Sequence, residues 1–285
     1  MTDPARLPAY DGPEDAYHVY ALCFARLERS VHENFMITDL HDGPMPLDYN
    51  MWILHNSART VLVDTGFGPR AAQERGRILD VDPIDALGRL GIDPAAVEDA
   101  LITHLHYDHA GNMDRLARAR FHVQESEVAY ATGPCMCEKF MRFPYDVEDV
   151  VTLVRHTFAD RVRHYRGQAE PLPGISLHHL PGHTAGIQAV RVNTPRGPVL
   201  LASDVSHYYA NFMRKSPFSL IIDVLETLES YDAMVALVAG VDHIIPGHDP
   251  RVREIYPMID VGGVRLAELH KPPLPHDPAH LSLYR

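Results

Sequence analysis

Thr103-His104-Leu105-His106-Tyr107-Asp108-His109-Ala110-Gly111-Asn112 places three imidazoles and a carboxylate within six consecutive residues. The run that leads into it, Asp99-Ala100-Leu101-Ile102-Thr103, has the apolar character of a buried strand. In His104-x-His106 the two side chains point the same way off an extended backbone. Asp108 and His109 then turn the corner and can face a second position. Imidazole with carboxylate is the donor mix that suits zinc, iron or manganese. A chance His-rich surface loop is the competing explanation in a chain with 19 His, and the spacing directly behind an apolar strand argues against it.

Working outward, three further ligand-type side chains stand where a strand runs into a turn. Leu180-Pro181-Gly182-His183-Thr184 follows the apolar run Ile175–Leu180, Ala202-Ser203-Asp204 ends the next one, and Ile245-Pro246-Gly247-His248-Asp249 ends the last. Open α/β sheets carry their chemistry at such strand ends. A lone Gly-His turn is usually structural, but the four stretches together make a set. His104, His106 and His183 serve one ion, Asp108, His109 and His248 another, and Asp204 can bridge them.

The intervening chain alternates strands and helices. Strands are expected at Tyr17–Phe24, Val31–Thr38, Asn50–His55, Arg59–Asp64, Ala100–Thr103 and Phe121–Gln124. Asp82-Pro83 has the chemistry of a helix start, with the helix reaching Leu90 before Gly91, and Asp93-Pro94 repeats the signal on one turn. Met113–Ala119 reads as a short helix. Residues 125–158 break the pattern: helical stretches Glu125–Ala131 and Asp146–Phe158 flank a middle with Pro, Gly and Cys135, Met136, Met141 and Phe143. This is an insertion that supplies either pocket walls and dimer contacts or plain core. Strands resume at Val162–Tyr165, Ile175–Leu180, Gln188–Val192 and Val199–Ser203. A helix over Ile221–Ala239 and a last strand at His243–Pro246 follow. One domain is expected over 1–285, with an irregular arm at 1–16 and an irregular tail at about 271–285.

Composition narrows the class. The chain has 285 residues, 46% of them hydrophobic, and a formal charge of −12 from 38 acidic against 26 basic residues. An acidic chain lacks the basic face that nucleic-acid phosphates require. The three cysteines, Cys23, Cys135 and Cys137, make a poor disulfide framework and fit a reducing compartment. Cys135-Met136-Cys137 has no second Cys or His pair at zinc-finger spacing. The amino terminus shows neither the basic nor the apolar region of a signal peptide. No stretch is apolar enough, for long enough, to span a bilayer. The chain is therefore expected in the cytoplasm, with no nucleic-acid and no membrane partner.

His-x-His-x-Asp-His at 104–109, Pro-Gly-His at 181–183, the strand-ending Asp204 and Pro-Gly-His at 246–248 resemble the metallo-β-lactamase-fold hydrolases. Asp64-Thr65-Gly66 is similar to that family's early strand-end motif. The resemblance runs from about Asp64 to His248. It implies an α/β (α+β) architecture, an αββα four-layer sandwich with the metals at one sheet edge. Within the superfamily, Leu172–Gly186 and Leu201–Tyr209 look most like the quorum-quenching N-acyl-homoserine lactonases. In the best-known branch of that group, a Tyr three residues after the bridging Asp contacts the substrate carbonyl. Here His207 takes that position and Tyr208 follows, so either could supply the contact.

The resemblance implies a dinuclear hydrolase holding two divalent ions, zinc first, with iron, manganese or cobalt as alternatives. Such a pair, about 3.5–4 Å apart, holds a hydroxide that attacks the carbonyl of a small lactone or ester. By the same likeness Asp108 carries a proton to the leaving alkoxide, Asp204 bridges the ions, Asp64 orients a ligand imidazole, and the enzyme is a homodimer. Two rivals share the scaffold. A glyoxalase II-like thioesterase usually carries Gly-Gly after the metal loop, where this chain has Gly111-Asn112. A persulfide dioxygenase uses one iron held by two His and an Asp. Diiron partners of flavoproteins require Glu at His106, and β-lactamases a residue other than Asp204.

Overall fold

The computed structural model describes residues 6–37, 42–277 and 281. The first half of the chain forms β1 (His18–Leu27), β2 (Leu47–His55), β3 (Thr60–Val63), α1 (Pro69–Arg75), β4 (Ile78–Leu79), α2 (Pro83–Arg89), β5 (Asp99–Leu101), α3 (Tyr107–Ala110), β6 (Arg120–Gln124) and α4 (Glu125–Ala131). Then come α5 (Lys139–Arg142), α6 (Val147–Phe158), β7 (Val162–Tyr165), β8 (Ala169–Leu172), β9 (Ile175–His179), β10 (Gln188–Val192) and β11 (Val199–Ser203). The chain closes with α7 (Tyr209–Met213), α8 (Val224–Ala236), β12 (Ile244–Pro246), α9 (Val252–Ile255), β13 (Met258–Val261) and β14 (Val264–Glu268). Residues 6–17, ahead of β1, carry no helix or strand.

Two sheets result. The larger runs β13-β14-β1-β2-β3-β5-β6-β7, with β4 on β1, and the smaller runs β12-β11-β10-β9-β8. Side chains alternate across each strand of the larger sheet. Val19, Ala21, Trp52, Leu54, Val61 and Val63 pack with Leu177, Val190, Leu200 and Ile244 of the smaller one. Their neighbours Tyr20, Leu22, Phe24, Ile53 and Leu62 face the other way, onto Ala72, Ile84, Leu87 and Leu153 of the helices. The central strands are therefore buried on both faces, which is why β2 is apolar along most of its length. Tyr231 and Met234 of α8 join the core of the smaller sheet. The layers are helix, sheet, sheet, helix.

Strand direction brings the motifs together. β3 and β5 are parallel neighbours in the larger sheet, and β11 and β12 are parallel in the smaller. β9 and β11 each run antiparallel to β10, so β9 shares the direction of β11. Asp64, the 104–109 loop, His183, Asp204 and His248 thus all lie just past strand ends. Asp64 and Ser203 turn those corners with φ of 63° and 50°, a left-handed conformation that costs energy in a non-glycine residue and clusters at functional sites.

Several elements depart from the expectation. Val31–Glu33 is a 3₁₀ turn rather than part of a strand, because the Glu33 carboxylate folds back to accept the Ser30 amide at 2.8 Å. Thr38, the end of that expected strand, lies outside the described residues. Met113–Ala119 holds only a 3₁₀ turn at Met113–Arg115. The long helix begins at Val224, where Asp223 caps it by accepting from Glu226 N–H. Residues 221–222 are left free to face the site. The strand at 244–246 is followed by two more, joined by Gly262 and Gly263 with φ of 60° and 74°, the geometry of a two-residue hairpin.

Candidate metal centre

The structure brings all seven expected ligands to one place. His104, His106, His183 and Asp204 form one donor group and Asp108, His109 and His248 a second, with donor atoms in each group within 4.8 Å of one another. Asp204 stands between them. Its Oδ1 lies 2.8 Å from His248 Nε2 and 3.3 Å from His109 Nε2, and its Oδ2 lies 3.3 Å from His183 Nε2 and 3.9 Å from His104 Nε2. All seven are buried, and Asp108, at 8% exposure, is the most open.

The imidazoles are held from behind. His109 Nδ1 donates to Asp64 Oδ2 at 2.7 Å, His183 Nδ1 to the Leu220 carbonyl at 2.8 Å, and His248 Nδ1 to the Asp48 carbonyl at 2.7 Å. Thr103 Oγ1 donates to Asp64 Oδ2 at 2.9 Å and lies 3.1 Å from His104 Nδ1, whose proton it accepts. Asp64 therefore orients His109 directly and His104 through Thr103, as the expected role requires. These partners leave Nε2 of four rings facing inward, the arrangement by which outer-shell bonds fix a ligand's tautomer. Thr103, Leu220 and Asp48 were not legible as partners, since a carbonyl or hydroxyl acting through its place in the fold leaves no motif.

Electrostatics suit cations. Burial, then the neighbouring imidazoles, pushes His104 and His106 well below the ordinary His range, and burial takes His183 down to about 3. These rings are neutral and offer lone pairs. At His109 and His248 burial acts downward too, but nearby carboxylates, Asp204 foremost, outweigh it and raise both. Burial would raise Asp204, yet His207, His248 and His109 together hold it well below the usual carboxylate range. His104 Nε2, His109 Nε2 and Asp204 Oδ1 are buried without any hydrogen-bond partner. Buried polar atoms rarely stay unpaired, and here all three converge on one volume lined by imidazole and carboxylate. The residues present fit two divalent ions.

His207 and Tyr208 separate. His207 belongs to the cluster: its Nε2 lies 3.0 Å from Asp204 Oδ2, and it forms a third donor group with Asp204 and His248. Its ring stacks on Phe218 with centroids 3.6 Å apart. Tyr208 is fully buried, and its hydroxyl donates to the Pro46 carbonyl at 3.2 Å. The structure therefore places His207, and not the Tyr208 hydroxyl, among the candidate ligands.

Beside the first group lies a narrow apolar cavity, walled by Tyr130, Phe140 and Met141 of the 125–158 insertion and by Leu220 and Ile222, with His106 and His183 at its base. The insertion is thus part wall and part core, since Tyr145 and Leu153 are buried. Phe212 and Phe218 are buried as well, and the chain between Asp204 and α8 meets this cavity at 220–222. A larger surface cavity of about 430 Å³, between Cys23, Arg26, Arg253 and Met258, contains none of the candidate ligands. Size does not choose the site here. Cys135 and Cys137 are exposed and free.

Fold and centre together define a metal-dependent hydrolase. The chain belongs to the metallo-β-lactamase superfamily, whose family pattern matches residues 44–248. An N-acyl homoserine lactonase from Bacillus sp is 28% identical over 190 residues, covering 61% of this chain and 70% of the relative. The N-acyl homoserine lactonase AttM of Rhizobium radiobacter is 27% identical over 179 residues, covering 61% and 66%. A crystal structure of a quorum-quenching N-acyl homoserine lactone lactonase superposes with a TM-score of 0.68 at 24% identity, covering 83% of this chain and 93% of that one. AidC, a dizinc quorum-quenching lactonase in complex with its product, superposes at 0.65 with 13% identity, covering 87% and 92%.

Proposed function

We propose that this chain is a dinuclear ester hydrolase that opens the ring of a small lactone, an N-acyl homoserine lactone or a close relative of one. The observation that carries the reading is the pair of complete donor groups with Asp204 between them, set beside the apolar side chains of Tyr130, Met141, Leu220 and Ile222. The named activity of the Bacillus and Rhizobium relatives points the same way. A complete second group at Asp108, His109 and His248 is more than a single-iron dioxygenase needs.

His104, His106 and His183 would hold one ion, Asp108, His109 and His248 the other, and Asp204 both. When bound, such ions lower the pKa of water and polarise a carbonyl. The chain supplies the rest. Asp64, Thr103 and the carbonyls of Leu220 and Asp48 keep the imidazole lone pairs aimed inward. Leu220 and Ile222 on one side and Phe140 and Met141 on the other give the donor groups an apolar flank against which an acyl group would pack. Asp108, the most open of the candidate ligands, carries a proton to the alkoxide oxygen released as the ring C–O bond breaks. His207, its ring held flat against Phe218, takes the place beside the substrate carbonyl.

The test is a hydrolysis screen of homoserine lactones of graded acyl length against aromatic lactones, thioesters and simple esters. Ring opening of at least one lactone class ahead of every thioester is expected. Thioesters hydrolysed fastest, or full activity after chelation, would sink the proposal.

A further inference from the structure

Among the groups the mechanism leaves unused, the most completely built is a carboxylate behind the first donor group. Glu127, on α4, is fully buried. Its Oε1 accepts the Leu105 amide at 2.9 Å and the Tyr145 hydroxyl at 3.2 Å. Its Oε2 accepts the Thr184 hydroxyl at 2.6 Å and the Gly186 amide at 3.1 Å. Leu105 is the residue between His104 and His106, and Thr184 follows His183. One carboxylate thus ties together the two loops that carry every imidazole of the first donor group. It also reaches Tyr145, whose ring meets that of His106 edge-on with centroids 4.7 Å apart. Gly186 approaches so closely that a Cβ there would lie 2.0 Å from the Glu127 amide nitrogen, so loop and helix have no slack between them.

We infer that Glu127 is a positioning residue for the first ion, setting the separation of the His104–His106 pair from His183. The inference rests on the two-ion reading of the centre. Its logic is specific to a carboxylate. One backbone N–H points at each oxygen, and a backbone N–H cannot reverse to accept. A glutamine has only one oxygen, so in either amide orientation its NH₂ faces the N–H of Leu105 or of Gly186. Hydroxyls could turn to suit, but the two amides could not. A buried carboxylate with four donors is also well satisfied, which is what makes its burial tolerable.

The test measures zinc affinity by competition with a chromophoric chelator, on the full chain. Glu127→Gln is placed in a His248→Ala background, which keeps the first donor group, and in a His106→Ala background, which keeps the second. Outer-shell losses usually weaken a metal site about 10–100-fold. A loss of that size is expected in the His248→Ala background, with less than about a threefold change in the other, well below that range. A merely structural role would weaken both backgrounds alike, and that result overturns the inference, as does no change in either. If Glu127→Gln does not fold, Thr184→Val decides instead, since it removes one donor and keeps both amide bonds. It must weaken the same background selectively, and equal or absent effects overturn the inference. A wild-type chain that binds no zinc overturns the two-ion reading itself, and the inference with it.

Discussion

At the scale of single residues, Asp108 has the most demanding role. It is a candidate ligand next to His109, with Oδ2 3.6 Å from His109 Nε2 and 3.8 Å from His248 Nε2, and it is also the proposed proton carrier. Asp108→Asn keeps one oxygen donor but removes the proton-carrying site. General acid catalysis is worth roughly 10²–10⁴-fold, so kcat for ring opening is expected to fall by at least about 100-fold. Circular dichroism should be unchanged, and steady-state kinetics alongside metal analysis checks it. A second residue-scale prediction concerns a histidine away from the centre. His270 stacks on His18 with centroids 4.1 Å apart, and burial lowers it to about 4. The folded state keeps this ring neutral where the unfolded chain, titrating near the ordinary value of 6.5, takes up a proton. Its contribution is therefore full above about pH 6.5 and is lost as pH falls toward 4, on the order of 3 kcal/mol across that window. Urea melts at pH 7.5 and pH 5 should show a shallower pH dependence for His270→Asn than for the wild type.

At the scale of elements, the local signals that proved readable were those with chemistry confined to a few neighbours. Asp82 caps α2 by accepting from the amides of Ile84 and Asp85. It also accepts from Arg115 with both oxygens at 2.8 Å. Asp82→Ala should cost about 1–2 kcal/mol in a denaturant titration and leave metal affinity intact, because none of the candidate ligands is bonded to it. Asn56 likewise turns the β2–β3 hairpin by accepting the amides of Ala58 and Arg59. The misreadings came where a local preference competed with a partner far along the chain. β13 and β14 lie beyond the strand expected to be the last, and β14 holds its place by pairing with β1, nearly 250 residues earlier. α3 reads as a loop in the sequence because two of its four residues, Asp108 and His109, are read as ligands first. As a one-turn helix it lets Asp108 and His109 face the second donor group while Tyr107 packs in the core.

At the scale of the molecule, the centre is a seam between the two sheets. His104, His106, Asp108 and His109 lie past the end of β5 in the larger sheet, and His183, Asp204 and His248 past the ends of β9, β11 and β12 in the smaller. Ions that bind only the folded arrangement stabilise it by about 2.7 kcal/mol each at a hundredfold excess over Kd. For a chain of this size that corresponds to roughly 5–10 °C per ion. Chelation is expected to lower the melting temperature by at least the lower figure and re-addition of zinc to restore it, as scanning fluorimetry would read. An unchanged melting temperature would mean that the seam is held by apolar packing alone.

The ligand types, their order and their place at strand ends were determined by the sequence itself. Each depends on a residue and its immediate neighbours, such as a Gly that permits the turn or an apolar run that makes the strand. The tertiary structure alone decided which nitrogen each imidazole presents, because the partners that fix it are backbone carbonyls such as Leu220 and Asp48 and the distant Asp64. It also decided between His207 and Tyr208, since adjacent side chains on a turning backbone point apart and only one of them reaches Asp204. Glu127 belongs to the same class. As one acid among 38 Asp and Glu it has no motif, and it gains its place only when the 104–106 and 183–186 loops fold onto α4. Covalent spacing carries local chemistry, while direction and distance between remote groups follow from packing.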